Sequence, residues 1–314
     1  MGAILSITFP IYAAIGIGYL VVRKGWFVAS DMRVLGQYVL NLALPALLFN
    51  AVASRDITEV IRPGYMAVYA LGSLLTIAGA FLWFSVTRTD PPRRAVAVMG
   101  AACPNSGFVG YPVMLLAFPD IAGVILALNF LVENVLLIPL CLVLMDLSRP
   151  HPSLSVPRRV GRILWNVARR PMVIGLALGF AVSALDLPIP QPATRLFQTL
   201  AASASALSLI VIGGSLVGLP LRGNRALAVQ IAAAKLIAHP LFVMFAMAIL
   251  AAVGLAPLAS DLKAAVILSA AMPMFGIYTV LAQEQGLEGM ASIAMLAATT
   301  GAFVTLSVLL ALLT

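Results

Sequence analysis

Long apolar runs separated by short polar breaks fill this chain. They lie near 3–22, 33–53, 64–86, 95–118 and 121–145, and again near 171–189, 195–219, 226–252, 262–285 and 290–313. A hydrocarbon core about 30 Å thick needs roughly 20 apolar residues per helical crossing. Inside it the backbone must satisfy its own hydrogen bonds, which for runs of this length means α-helix. The pattern predicts an all-α integral membrane fold of ten crossings. Between the fifth and sixth runs lies 146–170, where Arg149, Arg158, Arg159, Arg162, Arg169 and Arg170 alternate with Pro150, Pro152 and Pro157; it reads as a basic linker.

Composition agrees with a membrane solvent. Of 314 residues, 62% are hydrophobic and 10% charged, and the mean hydropathy is +1.07, too apolar for a hydrated globular surface. The net charge of +8 could suit nucleic acid, but the basic residues sit in loops and not on a face interleaved with aromatics, so a nucleic-acid partner is not expected. Their distribution sets an orientation instead. Loops after odd-numbered helices carry 14 Lys and Arg and loops after even-numbered helices carry four, which by the positive-inside rule puts the odd loops in the cytoplasm and both termini outside. The first basic residues, Arg23 and Lys24, follow the first apolar run, so that run reads as a retained helix and not a secretory signal. Cys103 and Cys141 lie in apolar segments without the spacing of a metal site or disulfide framework. No metal and no bound cofactor are expected.

The two halves repeat. A shift of 161 places Pro10 on Pro171, Gly18 on Gly179, Leu35 on Leu196 and Gln37 on Gln198; a shift of 169 places Pro104 on Pro273 and Gly107 on Gly276. Five crossings per half, an odd number, make the second half enter the membrane from the opposite side. The expected domains are 1–145 and 171–314, joined by the linker 146–170, in the inverted-repeat plan common to secondary transporters.

In the matched fourth and ninth helices the Pro removes a backbone donor, and the Gly permits conformations that a helix excludes. Both helices are expected to break near mid-membrane. Unwound backbone survives there only where protein or a wet cavity satisfies it, and a half-helix N-terminus offers amide donors to a carboxylate. Kinking alone is the structural alternative; the coincidence in equivalent helices favours a site. The candidates are Pro104, Asn105, Ser106 and Gly107 on one side and Pro273, Met274, Phe275 and Gly276 on the other. Met274 stands where Asn105 stands, so anion recognition is expected on the fourth-helix side, and apolar selection by Met274 and Phe275 on the ninth.

Polar residues inside apolar helices are costly and mark function. Glu133 lies at the middle of the fifth helix, with Asn129 one turn before it and Asn134 beside it. Lys235 and His239 have the same i,i+4 relation on the eighth. A Glu133–Lys235 ion pair would account for both charges, either as a structural pair or as part of a coupling site. With Asn129 and Thr299 or Thr300, Glu133 could hold Na⁺ or a proton. His239 is either a packed core residue or a proton carrier. Asn41 and Asn50 flank Pro45 on the second helix, and Ser203, Ser205 and Ser208 lie on the seventh; Asn41 is the candidate substrate contact among them. Glu284 and Glu288 are expected to be solvated.

The stretches Ala43-Leu44-Pro45-Ala46-Leu47-Leu48-Phe49, Pro104-Asn105-Ser106 through Gly110-Tyr111-Pro112, and Ala271-Met272-Pro273 through Ala282-Gln283-Glu284 resemble the auxin efflux carrier family. That resemblance implies a fold shared with plant auxin exporters and, distantly, with bile-acid sodium symporters. Helices 1, 2, 6 and 7 would be a dimerising scaffold; helices 3–5 and 8–10, with the fourth and ninth crossing, would be a moving elevator domain. It also implies that Asn105 contacts the carboxylate of an organic anion. The short central linker departs from the long regulatory loop of the plant members.

The leading expectation is a multi-pass secondary carrier of small organic anions, auxin-like or dicarboxylate, in a bacterial inner membrane, working as a homodimer. A channel or a signalling sensor on the same scaffold remains open. An intramembrane enzyme would need Ser106 or Cys103 within reach of His239, and no paired catalytic motif supports that.

Overall fold

The computed structural model describes residues 2–148, 156–219 and 221–313. Among them every regular element is a helix, and the one β-type contact is an isolated bridge between Pro104 and Met274. Six helices are long and apolar enough to cross a membrane: Ala29–Ala53, Ile57–Val86, Ala122–Leu147, Gln191–Ser215, Arg225–Ala252 and Glu288–Leu313. A seventh arises if the bent pair Gly161–Ala168 and Pro171–Ala184 is counted as one span. Thr8–Arg23 and Ser106–Ala117 are shorter apolar helices.

The fourth and ninth apolar runs are each interrupted. Pro91–Ala102 stops before Pro104 and resumes beyond Asn105, and Ser260–Ala271 stops before Pro273 and resumes as Tyr278–Gln283. The region 146–170 differs from the linker read in the sequence, because Val156–Ala168 is a helix. Its arginines and prolines hide an underlying i,i+3,i+4 spacing of apolar residues, and a Pro in the first helical turn, as Pro157 is here, does not oppose helix formation.

Two compact units are present, each drawing on both halves of the sequence. The first comprises Met1–Arg62, Ser106–Phe130 and Val167–Gly218. Within it Gly2–Arg23 packs along Gln191–Ser215, and Pro171–Ala184 packs along Leu44–Ala53. Small residues permit these approaches. A methyl at Gly18 would strike the Ile210 backbone, and one at Gly175 the Pro45 backbone. Close backbone packing of this kind is how helices associate without a hydrophobic drive from water.

The second unit comprises Pro63–Asn105, Leu131–Asn166 and Leu219–Thr314. Pro63–Val86 packs against Pro91–Ala102 and His239–Ala252, and Arg225–Ala233 packs against Glu288–Leu313. The two interrupted helices form its interior: every residue of Ala95–Ala102 and of Ala264–Ala271 is buried. Helices apolar all round belong in a core. Here alanine and glycine let neighbours close on all sides of them.

Candidate functional site

Four short stretches with i→i+5 bonding interrupt otherwise α-helical runs: Val39–Ala43, Ser106–Gly110, Glu133–Leu137 and Ala234–Ala238. Each ends two residues before a proline, respectively Pro45, Pro112, Pro139 and Pro240. The cause is local. A proline gives no N–H to the carbonyl four residues earlier, and its ring presses on that carbonyl, so the preceding turn opens into a wide π turn. Thus the Leu44, Ile138 and His239 amides reach back five residues, to the carbonyls of Val39, Glu133 and Ala234. These turns hold Asn41, Ser106 with Gly107, Glu133 and Lys235, members of the set singled out by sequence. The spacing of a polar residue a few positions before a proline was the signal for these turns.

The two breaks meet inside the second unit. Pro104 and Met274 form an antiparallel bridge, the Asn105 amide donates to the Pro273 carbonyl at 2.8 Å, and the Phe275 amide donates to the Cys103 carbonyl at 3.2 Å. Each break therefore supplies the hydrogen bonds that the other lost on leaving the helix, which answers the cost of unwound backbone in an apolar interior. Two expectations change. The Asn105 amide is spent on Pro273 and is not free for an anion. Nor do the glycines act through unusual backbone angles, since neither Gly107 nor Gly276 has a positive φ. Gly107 belongs to the first unit, where an added methyl would lie 3.0 Å from Leu44 and 3.2 Å from Phe130; Gly276 is exposed with open space around it. The prolines and the backbone pairing end the helices. Pro104, Asn105, Pro273, Met274 and Phe275 are all buried beside this pairing, and Ser106 is buried in the first unit.

Near the pairing, the second unit buries a polar column. Tyr69 Oη donates to Glu133 Oε1 at 2.7 Å. The Tyr69 ring stacks on His239 with centroids 6.4 Å apart. Lys235 Nζ lies 2.8 Å from His239 Nδ1 and donates to the Ala270 carbonyl at 2.5 Å. As an ammonium Lys235 can only donate, which would make His239 Nδ1 the acceptor and place the ring proton on Nε2. From there it points to Ser73 Oγ, 2.9 Å away. Ala270 lies in the last turn of Ser260–Ala271, where carbonyls lack helical partners and a cation is favoured. Lys235 thus clasps the end of the half-helix that leads into the Pro273 break. Glu133 bonds to Tyr69, and Lys235 to His239 and Ala270. Cys103, Glu133 and Lys235 are near enough to interact electrostatically, and the Cys103 and Cys141 sulfurs lie 3.8 Å apart as free thiols.

Tyr69 and Ser73 were not anticipated. They share the i,i+4 spacing of Lys235 and His239, on the third apolar run, but a tyrosine and a serine in an apolar helix are too common to stand out. Tyr65 Oη and Ser269 Oγ, 3.2 Å apart, extend the same buried region. Of the remaining candidates, Asn134 is buried and Thr299 is 5% exposed in the second unit, Asn129 is buried in the first, and Asn41 and Thr300 are exposed. Glu284 is exposed as expected. Glu288 differs: it opens Glu288–Leu313 half-buried, with Oε2 shielded, because an acidic side chain suits a helix N-terminus. Among the described residues no group of three or more His, Cys, Asp or Glu could hold a metal.

Comparison with known proteins gives consistent matches. Residues 3–310 match the family described as Membrane transport protein. The chain is 27% identical over 260 residues to the "Putative malonate transporter" of Rhizobium meliloti (strain 1021), covering 79% of this chain and 78% of that one. It is 25% identical over 216 residues to the "Uncharacterized transporter YfdV" of Escherichia coli (strain K12), covering 65% and 66%. With a family match over nearly its whole length and several membrane-length helices, the chain belongs to the membrane transport protein (auxin efflux carrier) family and is a multi-pass membrane transporter, not an enzyme.

Proposed function

We propose that the protein is a secondary active transporter of small organic anions, with carboxylates and especially short dicarboxylates as the substrate class. The observation that carries this reading is the pairing of two interrupted, buried helices with Asn105 at the junction. A backbone broken at mid-helix and satisfied by its symmetry mate can rearrange at low cost. A buried amide side chain next to it suits a carboxylate. The name of the Rhizobium relative supports a dicarboxylate.

The architecture in this reading is ten crossings in a 5+5 inverted repeat, 1–145 and 171–314 about the linker 146–170, with helices 4 and 9 crossing. The count reaches ten once Thr8–Arg23, the bent pair and the two interrupted runs are added to the six membrane-length helices. The first compact unit contains the first, second, sixth and seventh runs, and the second contains the third, eighth, ninth and tenth, a grouping that supports a scaffold and a moving elevator domain. The fourth and fifth runs, expected whole in the moving domain, are instead divided, with Ser106–Phe130 in the first unit. A homodimer formed through the scaffold, an inner-membrane location with both termini outside, and coupling to Na⁺ or H⁺ at Glu133, Asn129, Lys235, His239 and Thr299 complete the proposal. Asn41, Ser106, Gly107 and Gly276 join Pro104, Asn105, Pro273, Met274 and Phe275 as the substrate set.

Flux of radiolabelled malonate and of an indole carboxylate into proteoliposomes tests it. Saturable counterflow is expected; conductance at pore rates would instead indicate a channel. Asn105→Ala is expected to abolish anion-induced thermal stabilisation, and an unchanged affinity would remove Asn105 from the site.

A further inference from the structure

The helix Val156–Ala168 belongs to no part of the proposed transport site. Its surface divides into two stripes. Val167 is buried and Ile163 half-buried, so one stripe faces protein. Gly161, Leu164, Trp165 and Ala168, spaced i, i+3, i+4 and i+7, form a second apolar stripe that is exposed, with Leu164 43% and Trp165 61% accessible. Arg158 and Arg162, one turn apart and both exposed, run along the edge of that second stripe. In a water-facing helix the outward stripe is polar; an outward apolar stripe bordered by arginine is the arrangement of a helix lying in a membrane interface.

Two further observations point to the same surface. The chain turns by 70° between Gly161–Ala168 and Pro171–Ala184. A crossing helix tilts on average by about 20° from the bilayer normal, so a partner bent this far from it lies nearer the membrane plane. The charge is one-sided as well: six arginines fall within 149–170, and no acidic residue occurs between Asp146 and Asp186. Tryptophan at the border of an apolar stripe suits the headgroup level, where its ring is apolar and its N–H meets water.

We propose that Val156–Ala168 is an interfacial helix that binds anionic phospholipid headgroups through Arg158 and Arg162, with Leu164 and Trp165 set at the boundary of the acyl chains. Guanidinium groups pair with phosphate in a two-pronged geometry, and two of them one turn apart on a helix can hold a single headgroup or two neighbouring ones. This surface holds the segment that joins the fifth and sixth runs against the bilayer. It is independent of which anion the protein carries.

The test uses the full-length protein with Trp26→Phe and Trp83→Phe, which leaves Trp165 as its only tryptophan. Nanodiscs of phosphatidylcholine receive increasing fractions of brominated phosphatidylglycerol or of brominated phosphatidylcholine, and Trp165 emission reports the bromine atoms near it. Both lipids are expected to quench, with phosphatidylglycerol favoured by roughly fivefold for each arginine engaged. Adding Arg158→Gln and Arg162→Gln, which lie on the exposed edge and should leave the elution profile unchanged, is expected to bring the ratio close to unity while quenching persists. High salt should weaken the preference in the unsubstituted protein. Equal quenching by the two lipids, a preference that survives the double substitution, or no quenching by either lipid would each overturn the proposal.

Discussion

Single atoms decide the chemistry of the second unit's interior. The Tyr69 hydroxyl donates to Glu133 while its ring lies on His239, so one side chain serves a carboxylate and an imidazole at once. Burying a carboxylate without donors is costly, and losing a hydrogen bond to a charged group in such a place costs about 1–3 kcal/mol. Tyr69→Phe keeps the ring and removes the donor, so its thermal unfolding midpoint in detergent is expected to fall, with transport slowed. Glu133→Gln separates structure from coupling: it retains a hydrogen-bond acceptor for Tyr69 but cannot ionise. Under the proposed coupling, its flux is expected to lose any pH or cation dependence that the parent protein shows; parental rate and parental dependence together would take Glu133 out of the coupling role. Glu133, Lys235 and His239 were legible in the sequence, because charge in an apolar run is conspicuous. Their contacts with Tyr69, Ser73 and the Ala270 carbonyl were not, because those groups come from other helices.

Prolines act at the scale of the element. Pro45, Pro112, Pro139 and Pro240 each follow a wide turn at the same distance, so the turns are consequences of local covalent structure and not of packing alone. Each inserts the equivalent of one extra residue into its helix, which rotates one flank relative to the other by roughly 100°. Pro240→Ala restores an amide to the Leu236 carbonyl and should let Ala234–Ala238 close into an ordinary α-turn. The helix itself gains, since proline in a helix interior costs about 3 kcal/mol relative to alanine. Lys235, however, would rotate away from Ala270. The expected outcome is thermal stability equal to or above that of the parent with transport strongly reduced. Normal transport would mean that the wide turn has no part in placing Lys235. The two longer breaks show the other side of this physics: Pro104 and Pro273 ended helices as their sequences indicated, but only their mutual backbone pairing shows what satisfies the opened strands.

At the scale of the whole molecule, the proposed arrangement has an odd number of crossings per half, which would send the two halves through the membrane in opposite directions. With Cys103 and Cys141, both buried, replaced by alanine, a single cysteine introduced by Asp186→Cys is expected to react with an impermeant maleimide applied outside intact cells. One introduced by Asp90→Cys should react only after permeabilisation. Labelling of both from the same side would refute the inverted arrangement. The sequence by itself determined the apolar runs, the interruptions at Pro104 and Pro273, the exceptional charges and the basic segment, since each follows from the cost of polar groups in hydrocarbon or from proline's missing N–H, and both are properties of a residue and its near neighbours. Tertiary structure alone decided that the two breaks bond to one another, that Lys235 clasps Ala270, that Glu133 leans on Tyr69, and that the basic segment folds into a helix with an outward apolar stripe. Those outcomes depend on which helices lie side by side, and in a chain where most residues are apolar, hydrophobic pattern alone does not distinguish one neighbour from another.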